Sequence, residues 1–308
     1  HGGIFSRSLK LLGIIRKLKK QNYKFVANGM FFELFLSCVF LRFDWLAKIP
    51  GDPIWENYRN RDKTHLDFFN FQNRFISIKV AALRLILRFT LNRAKSIIVP
   101  SKTYLQLKNA WKLNHAKLSV IPNAVNFDLF PDTSDKKDIE ILTVCRLVKW
   151  KKVDLLIESS HLANKKLFVV GDGPELENLT NLAKKLGSNT EFVGRLDFDS
   201  VRQFLIRTKV FALLSEFEAT SYSVLEALAS GCFVIANKNT GAEELISSTN
   251  KNGILVENLS PIKLSQLIET VFDKDYQNFN NASSIQITRE SFNVDLIYPK
   301  ILALLKLW

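Results

Sequence analysis

Cysteine is scarce in this chain of 308 residues, which contains only Cys38, Cys145 and Cys232. The three lie far apart and form no CxxC pair, so the sequence predicts neither a disulfide framework nor a zinc site. A reducing compartment, the cytoplasm, is therefore expected.

Long uninterrupted hydrophobic runs are also lacking. The longest apolar stretch, residues 25–47, is broken by Asn28, Glu33, Arg42 and Asp44, whereas a membrane-spanning helix needs about 20 predominantly apolar residues. We therefore predict no transmembrane helix, and the sequence shows no signal peptide. The chain begins "HGGIFSRS" without an initiator methionine, and we interpret it as a fragment or a processed product.

Acidic residues are rare in the first part of the chain. Residues 1–130 contain 22 Lys and Arg against 7 Asp and Glu, whereas the remainder contains 21 against 23. Much of the positive charge lies in two helical stretches, residues 7–20 and 74–95, which mix basic and apolar side chains. One interpretation is a helix that packs on a sheet and exposes its basic side to solvent; the other is attachment to an anionic membrane surface. No recognition motif or aromatic stacking platform supports a nucleic-acid partner.

Strands and helices alternate through most of the sequence, which is typical of a parallel sheet flanked by helices. The first part contains about four apolar strand segments, a polar segment at 131–138 resembles a linker, and six strand–helix units follow. Six units are enough for a complete doubly wound domain. The sequence thus predicts two α/β domains, residues 1–130 and 131–290, the first without its opening strands, and an amphipathic helix at 291–308.

Polar motifs follow several predicted strands of the second domain, at the edge where such sheets bind ligands. In "VCRLVKWKK", Arg146 and Lys151 suit an anion such as a diphosphate, because Arg binds two oxygens and Lys supplies a point charge; a solvated basic loop is the alternative. "VVGDGPE" offers Gly171 either for close approach of a ligand or for a tight turn. "FVGRLD" places Arg195 either on a ligand or on the surface.

The stretch "SEFEATSYSVLEALASG", residues 215–231, combines a polar turn with a helix. Glu226 lies early in that helix, where an acidic residue stabilises the helix dipole. The small residues that follow it require tight packing on the sheet, so we expect its carboxylate to point into the crevice. A carboxylate can accept two hydroxyl hydrogen bonds, as a ribose diol requires.

Together these motifs resemble glycosyltransferase family 4, retaining enzymes of the GT-B fold, in which two Rossmann-like doubly wound domains face a central cleft. The spacing of Glu218 and Glu226 is similar to the signature of that family. "VIPNAVNFDLF" resembles its interdomain segment, and "KIPGDPIWENYRN" resembles a GDxxWE variant of an acceptor-side loop. The resemblance spans residues 22–308 and implies that the helix at 291–308 packs back on the first domain.

The resemblance implies a hexosyltransferase that uses a nucleoside-diphosphate sugar and retains the anomeric configuration. The expected acceptor is a glycan or a lipid-linked precursor of a cell-envelope polysaccharide, reached by a peripheral protein on the inner face of the plasma membrane. Because the departing phosphate itself takes the proton of the acceptor in this family, neither a metal nor a cofactor is expected.

The resemblance also implies roles for individual residues. Arg146 and Lys151 would hold the diphosphate, Glu226 the ribose, and the catalytic Glu218 would lie beside the transferred sugar, which becomes oxocarbenium-like. The other expected donor-binding residues, several of them at a helix N-terminus, are Gly171, Arg195, Thr220, Ser221, Tyr222 and Ser223.

The acceptor-side loop leaves two interpretations open. Asp52 follows a buried strand and precedes a proline, which is typical of a turn-forming residue, whereas the resemblance implies a catalytic position near the reacting centre. Trp55 and Glu56 are candidates to line the acceptor site.

Two departures from the family pattern matter. "ATSY", residues 219–222, replaces the usual Gly-Phe-Gly, and the first strand and Gly-rich loop of the family are not visible in the sequence. A non-catalytic relative that binds a sugar nucleotide or a membrane is therefore kept as an alternative. A sugar-nucleotide epimerase would need a further acid/base set, which we do not find around the four histidines.

Overall fold

The computed structural model of the protein describes residues 3–61, 63–114, 117–130, 137–238, 240–246, 252–276 and 279–306. It divides into two compact units, one formed by His1–Pro122 with Tyr298–Trp308 and the other by Asn123–Ile297. Most of the predicted linker, residues 131–136, lies outside the described residues.

The division falls earlier than the predicted boundary after residue 130. Phe127 and Phe130 are buried in the core of the second unit, and the side-chain amide of Asn123 donates a hydrogen bond to the Thr220 carbonyl at 2.8 Å. These contacts join the predicted interdomain segment to the second unit.

The N-terminal unit contains a parallel sheet of four strands in the order β1-β2-β3-β4. Its strands are β1 (Phe25–Asn28), β2 (Trp45–Lys48), β3 (Ser96–Val99) and β4 (Leu118–Val120). Its helices before residue 122 are α1 (Ile4–Lys19), α2 (Phe31–Phe40), α3 (Pro53–Asn60), α4 (Phe68–Asn73), α5 (Ile78–Arg93), α6 (Lys102–Leu105) and α7 (Leu107–Ala110). Among these four strands the spatial order follows the order in the chain.

Local sequence explains where helix α5 begins and where α6 and α7 are separated. The hydroxyl of Ser77 accepts a hydrogen bond from the Val80 amide and caps α5, as expected of Ser at an N-cap. Residues 102–110 form the two short helices α6 and α7 and not one continuous helix. The amide of Gln106 bonds to the Thr103 carbonyl at 3.3 Å, an i→i−3 bond that interrupts the regular ladder.

The C-terminal unit contains all six predicted strands in one parallel sheet. They are β5 (Ile139–Val144), β6 (Leu167–Val170), β7 (Thr190–Gly194), β8 (Thr208–Leu213), β9 (Phe233–Asn237) and β10 (Gly253–Val256), in the order β10-β9-β8-β5-β6-β7. The helices between them are α8 (Val153–Leu162), α9 (Leu176–Leu186), α10 (Phe198–Ile206) and α11 (Tyr222–Ala229), and α12 (Pro261–Thr270) follows β10. The order reverses between β5 and β8, and such a switch point is where doubly wound sheets bind ligands.

The sheet of the C-terminal unit is buried on both faces. Ile141 belongs to one apolar core and its neighbour Leu142 to the other, because successive side chains of a strand point to opposite faces. This two-sided burial is why the strands appear in the sequence as continuous apolar runs.

The end of the chain differs from the prediction of a polar loop followed by one helix at 291–308. Two helices, α13 (Asn281–Phe292) and α14 (Val294–Lys306), are separated at Asn293. Asn280 caps α13 through its side chain, and extended Asn293 forms a bridge with Val125. None of the described helices is long and apolar enough to cross a membrane.

Candidate active site

The loop after β5 carries the two predicted phosphate-binding cations. Arg146 is exposed, and a 3-10 helix over Lys149–Lys151 places the Lys151 ammonium 4.3 Å from the centre of the Trp150 ring. Lys152 then turns the chain in the left-handed region, with φ of 54°, at the start of α8. These residues thus form a tight basic loop at the carboxyl end of β5.

The loop after β8 carries Glu218. The buried Ser215, with 1% of its surface exposed, donates a hydrogen bond from its hydroxyl to Glu218 Oε1 at 2.8 Å. The side-chain amide of Asn237, at the end of β9, donates to the carbonyls of Leu214 and Ser215 at 2.8 and 3.0 Å. The position of Glu218 is therefore fixed from the neighbouring strand.

Three contacts join these two loops across the switch point between β5 and β8. Lys151 Nζ forms an ion pair with Glu218 Oε1, and the two side chains are only 13% and 17% exposed. Lys152 pairs with Glu216 at 3.0 Å, and the Glu216 amide donates to the Trp150 carbonyl at 2.8 Å. The structure thus brings Lys151 and Glu218 together, as predicted residues of one site.

A cavity of about 500 Å³ opens at the carboxyl ends of β5, β6 and β7, and Arg146, Gly171 and Arg195 are among its lining residues. Gly171 has a φ of +136°, and a Cβ atom on it would lie 1.9 Å from the Cys145 carbonyl oxygen. Only glycine fits this turn without displacing the backbone. The two exposed arginines therefore line a cavity that this glycine turn helps to shape.

Glu226 lies on α11, where burial raises the pKa of its carboxyl to about 7. Tyr222, one turn earlier, is about half exposed, and its pKa is raised by burial and by the charge of Glu226. Glu226 is not among the described residues that line the 500 Å³ cavity. With a pKa of about 7, the carboxyl group of Glu226 changes between its protonated and charged forms near neutral pH.

The stretch before α11 is held by backbone and side-chain contacts. Ser221 does not cap the helix with its side chain; its hydroxyl lies 2.9 Å from that of Ser223. Thr220 is buried, and its hydroxyl donates to the Ala219 carbonyl at 2.7 Å. These predicted donor-binding residues therefore form a tightly packed turn at a helix N-terminus.

Two residues that sequence reasoning missed support this turn. The Gly241 amide donates to the Glu218 carbonyl at 2.7 Å, and a Cβ on Gly241 would lie 1.8 Å from the Ala219 carbonyl oxygen. Asn123 binds the Thr220 carbonyl from the segment before β5. The sequence signals were present in "TGAEEL" and "IPNAV", but only the fold shows which backbone groups they contact.

Asp52, for which the sequence left a catalytic and a turn-forming interpretation open, lies inside the N-terminal unit. Asp52 is 2% exposed and caps α3: its Oδ1 accepts hydrogen bonds from the amides of Ile54 and Trp55 at 2.8 and 3.2 Å, and its Oδ2 accepts one from Gln72. Burial raises the pKa of this carboxyl, while those hydrogen bonds lower it. The structure favours the turn-forming interpretation, because both carboxylate oxygens are already engaged inside the N-terminal unit.

The structure places Trp55 in the core and Glu56 beside Gly51. Trp55 is 1% exposed and donates its indole N–H to the Leu66 carbonyl at 3.3 Å, so we correct its assignment from an acceptor-lining residue to a core residue. The half-buried Glu56 lies over Gly51, where an added Cβ would collide with its Oε1. In the described residues, no group of three or more His, Cys, Asp or Glu side chains is placed to hold a metal ion.

Residues 126–285 match the sequence model of the family described as glycosyl transferases group 1. The match covers just over half of the 308 residues, and the chain belongs to this family. The matched region contains the ion pair of Lys151 and Glu218, the cavity lined by Arg146 and Arg195, and Glu226.

Two curated relatives illustrate the similarity. The chain is 30% identical over 176 residues to the gpi3 subunit of phosphatidylinositol N-acetylglucosaminyltransferase from Schizosaccharomyces pombe, covering 53% of this chain and 38% of the relative. It is 28% identical over 225 residues to a GDP-mannose-dependent monoacylated alpha-(1-6)-phosphatidylinositol monomannoside mannosyltransferase from Corynebacterium glutamicum, covering 65% of this chain and 55% of the relative. The chain thus spans about two fifths to just over half of the length of these relatives.

The fold is similar to that of a solved sucrose-phosphate synthase from Thermosynechococcus elongatus. The TM-score is 0.80 at 18% sequence identity, over 98% of this chain and 78% of the other. The predicted GT-B class, with two parallel Rossmann-like sheets, is confirmed.

Proposed function

We propose that this protein transfers a hexosyl group from a nucleoside-diphosphate sugar to an acceptor, with retention of the anomeric configuration, and that the C-terminal unit binds the donor. The observation that carries the proposal is the ion pair of Lys151 with Glu218 at the switch point of a group 1 glycosyltransferase sheet. In this proposal the ion pair joins the cation that binds the leaving diphosphate, Lys151, to the carboxylate that faces the reacting sugar, Glu218.

The cations have separate roles in this proposal. Arg146 and Arg195 are exposed beside the 500 Å³ cavity, where they bind diphosphate oxygens. Lys151 exchanges its Glu218 partner for the diphosphate and stabilises the negative charge that grows as the glycosidic bond breaks. Glu218 is then released to face the sugar, whose transition state carries positive charge.

Glu226 and the turn before α11 complete the donor site. The carboxylate form of Glu226 accepts the two hydroxyl hydrogen bonds of the ribose. Backbone N–H groups between Thr220 and Ser223, at the N-terminus of α11, bind the sugar hydroxyls and phosphate. The departing phosphate takes the proton of the acceptor, so the reaction requires no separate base and no metal.

A lipid-linked acceptor at an anionic membrane suits the N-terminal unit. Helix α2 contacts both α1 and α5, and the three helices expose large apolar side chains that include Phe5, Phe40 and Ile78. Basic residues lie among them, and both signals together are needed for stable binding to a membrane surface. The two relatives described above are named for phosphatidylinositol-containing acceptors, which supports a lipid acceptor here.

The donor proposal is tested by thermal shift with UDP-, GDP- and ADP-sugars, followed by release of the nucleoside diphosphate in the presence of lipid acceptors. We expect one nucleotide to raise the melting temperature of the wild-type protein and of Lys166→Met to the same extent, and that of Lys151→Met by much less. Lys166 is a matched control because it also forms an ion pair in this sheet, with Glu191 at 2.8 Å. If Lys151→Met responds as the wild type does, the site is wrong; stabilisation without turnover would favour the non-catalytic alternative.

The membrane proposal is tested by co-sedimentation with anionic vesicles. Phe5→Ser with Ile78→Ser is expected to reduce binding, because both side chains are exposed apolar residues of the N-terminal unit. The control is Leu162→Ser with Ile262→Ser, two exposed apolar residues of the C-terminal unit. Equal loss in the two double variants would contradict a specific membrane face.

A further inference from the structure

A second cavity, of about 510 Å³, lies in the N-terminal unit at the amino-terminal ends of β1 and β2. Phe25 and Trp45, the first residues of these two strands, line it. The loop with Asp52 follows β2 at the opposite, carboxyl end. The cavity, which we call the basic cavity, is therefore separate from the predicted acceptor loop, and none of its lining residues is a donor-site residue described above.

The charge around the basic cavity is strongly positive. One acidic and five basic residues line it: Asp44 together with Lys19, Lys24, Arg42, Arg93 and Lys117. The acidic residue is in addition paired with a cation that is not a lining residue, since Asp44 lies 3.4 Å from Lys95. The carboxylate therefore leaves most of the positive charge uncompensated.

Helix ends reduce this charge without cancelling it. Helices α1, α2 and α5 all end beside the cavity, at Lys19, Phe40 and Arg93. The C-terminus of a helix carries roughly −0.5 of an elementary charge, so three of them supply about −1.5. Five cations against one carboxylate and these partial charges leave an excess of more than two positive charges.

One of the lining cations, Lys117, is anchored in place near other positive charges. The ammonium of Lys117 donates hydrogen bonds to the carbonyls of Asn92 and Ala94 at 3.0 and 2.9 Å. The pKa of Lys117 is lowered by its burial and then by the nearby charges of Lys95 and Arg93. Fixed cations that repel one another are favourable for an anion with more than one negative charge, because the anion relieves the repulsion.

The walls of the basic cavity are partly aromatic. The rings of Phe25 and Phe43 meet edge to face at 5.5 Å, and Phe43 stacks with Trp45 at 6.3 Å. The cavity is thus a concave site that combines an aromatic wall with charged groups, a combination that suits a small organic anion. The volume lies in the usual range of such sites, about 300–1,000 Å³.

We infer that the basic cavity binds an organic phosphate with at least two negative charges, such as a sugar phosphate, a pyrophosphate ester or the phosphate headgroup of a lipid. The phosphate oxygens are held by Arg42, Arg93 and Lys117, and the organic part lies against the aromatic wall. This inference is independent of the proposed donor site, whose residues belong to the C-terminal unit.

Calorimetric titration with inorganic pyrophosphate tests the inference. We expect the wild type to bind at two sites, the donor site and the basic cavity. Arg42→Gln with Arg93→Gln removes one site or weakens it about tenfold or more, as expected for the loss of charge-assisted hydrogen bonds, while Lys151→Met weakens only the other. Both arginines are exposed, so the double variant is expected to fold, and the single variant Arg42→Gln provides a milder second test.

The matched control is Lys10→Gln with Arg16→Gln, which removes the same charge from exposed positions of α1 that do not line the cavity. This control should titrate as the wild type does. The inference is overturned if Arg42→Gln with Arg93→Gln binds pyrophosphate with the stoichiometry and affinity of the control, or if the wild type shows no pyrophosphate site beyond the one weakened in Lys151→Met.

Vesicles distinguish the two sources of phosphate. Phosphatidylcholine vesicles with and without phosphatidic acid are sedimented with the cavity variant and with the control variant, which have equal net charge. A lipid headgroup is the ligand if the cavity variant binds the phosphatidic acid vesicles less than the control does. Equal sedimentation, together with the loss of pyrophosphate binding, identifies a free phosphate compound.

Discussion

Lys151 and Glu218 form an ion pair across the point where the strand order of the C-terminal sheet reverses. Both side chains are largely shielded from water, and the hydroxyl of Ser215 adds a hydrogen bond to the same carboxylate oxygen. Ion pairs that are partly buried and further hydrogen-bonded couple more strongly than exposed pairs. This pair is therefore expected to couple more strongly than an exposed ion pair, and the proposed donor site predicts that donor binding rearranges it.

The coupling in this pair can be measured by a double-mutant cycle of Lys151→Met and Glu218→Gln in urea unfolding. We expect a coupling free energy of about 1–3 kcal/mol, which decreases at saturating nucleoside diphosphate, because Lys151 then binds the phosphate instead. The pair Lys166 and Glu191 is the control: its side chains are 38% and 53% exposed, and exposed pairs contribute about 0–1 kcal/mol. Equal coupling in both pairs would show that the switch-point pair is an ordinary surface contact.

Ser215 is expected to act as a positioning residue for Glu218. Ser215→Ala removes a hydrogen bond to a charged group, worth about 1.5–3 kcal/mol, which corresponds to roughly a 10–100-fold loss in rate if the bond is strengthened in the transition state. We expect kcat to fall by about tenfold or more, with little change in KM for the donor. Ser159→Ala is the control, since Ser159 is equally buried but its hydroxyl donates to the Leu155 carbonyl of its own helix. A change in KM alone would assign Ser215 to ground-state binding instead.

The stability of the protein is expected to depend on pH through Glu226. Burial raises the pKa of its carboxyl from 4.5 to about 7, so the folded state binds a proton more tightly than the unfolded state does. The stability that this group contributes is fully present below about pH 4.5 and is lost as the pH rises through about 7. Unfolding free energies measured from pH 5 to 8 should therefore fall in the wild type relative to Glu226→Gln. A constant difference between the two proteins would contradict this assignment.

Donor binding should show the opposite dependence on pH. The ribose hydroxyls donate to the charged carboxylate, so affinity for the nucleoside diphosphate is expected to rise as Glu226 loses its proton near pH 7. The pKa of Tyr222 is raised by burial, and this side chain stays neutral over the same range. Glu226→Gln should bind more weakly and with a flat profile. An unchanged profile in the variant would place the titrating group elsewhere.

The capping and catalytic interpretations of Asp52 predict different stability and turnover for its variants. Asp52→Ala removes the cap of α3 and leaves Gln72 without its acceptor, so we expect the unfolding free energy to fall by about 2 kcal/mol or more. Asp52→Asn should lose less stability than Asp52→Ala, because Asn is nearly as good an N-cap as Asp, although its Nδ2 cannot accept the hydrogen bond from Gln72. It should keep turnover if the role is capping. Loss of turnover in a stable Asp52→Asn protein would restore the catalytic interpretation.

The sequence predicted the strands of both sheets because two-sided burial leaves long apolar runs, as in β5 and β8, and turn residues follow them. It also predicted Lys151 and Glu218 as residues of one site. The pattern at Asp52 could not separate a cap from a ligand, since an Asp before proline at a strand end suits both, and only the burial of Asp52 and Trp55 favours one. Ser215 was missed because its role depends on a contact that the spacing alone does not show.

Gly171 was left open between a ligand contact and a plain turn, and its backbone makes a test possible. With a φ of +136° and a Cβ position 1.9 Å from the Cys145 carbonyl oxygen, Gly171→Ala forces the turn after β6 to move. The strain of such a conformation costs about 1–3 kcal/mol, and the cavity with Arg146 and Arg195 should change shape. Gly187→Ala is the control, because Gly187 also has a positive φ, +65°, but has nothing within 4 Å of an added Cβ. If both variants lose similar stability but only Gly171→Ala loses nucleotide-induced thermal stabilisation, the turn serves the ligand; if both keep that stabilisation, it serves the fold alone.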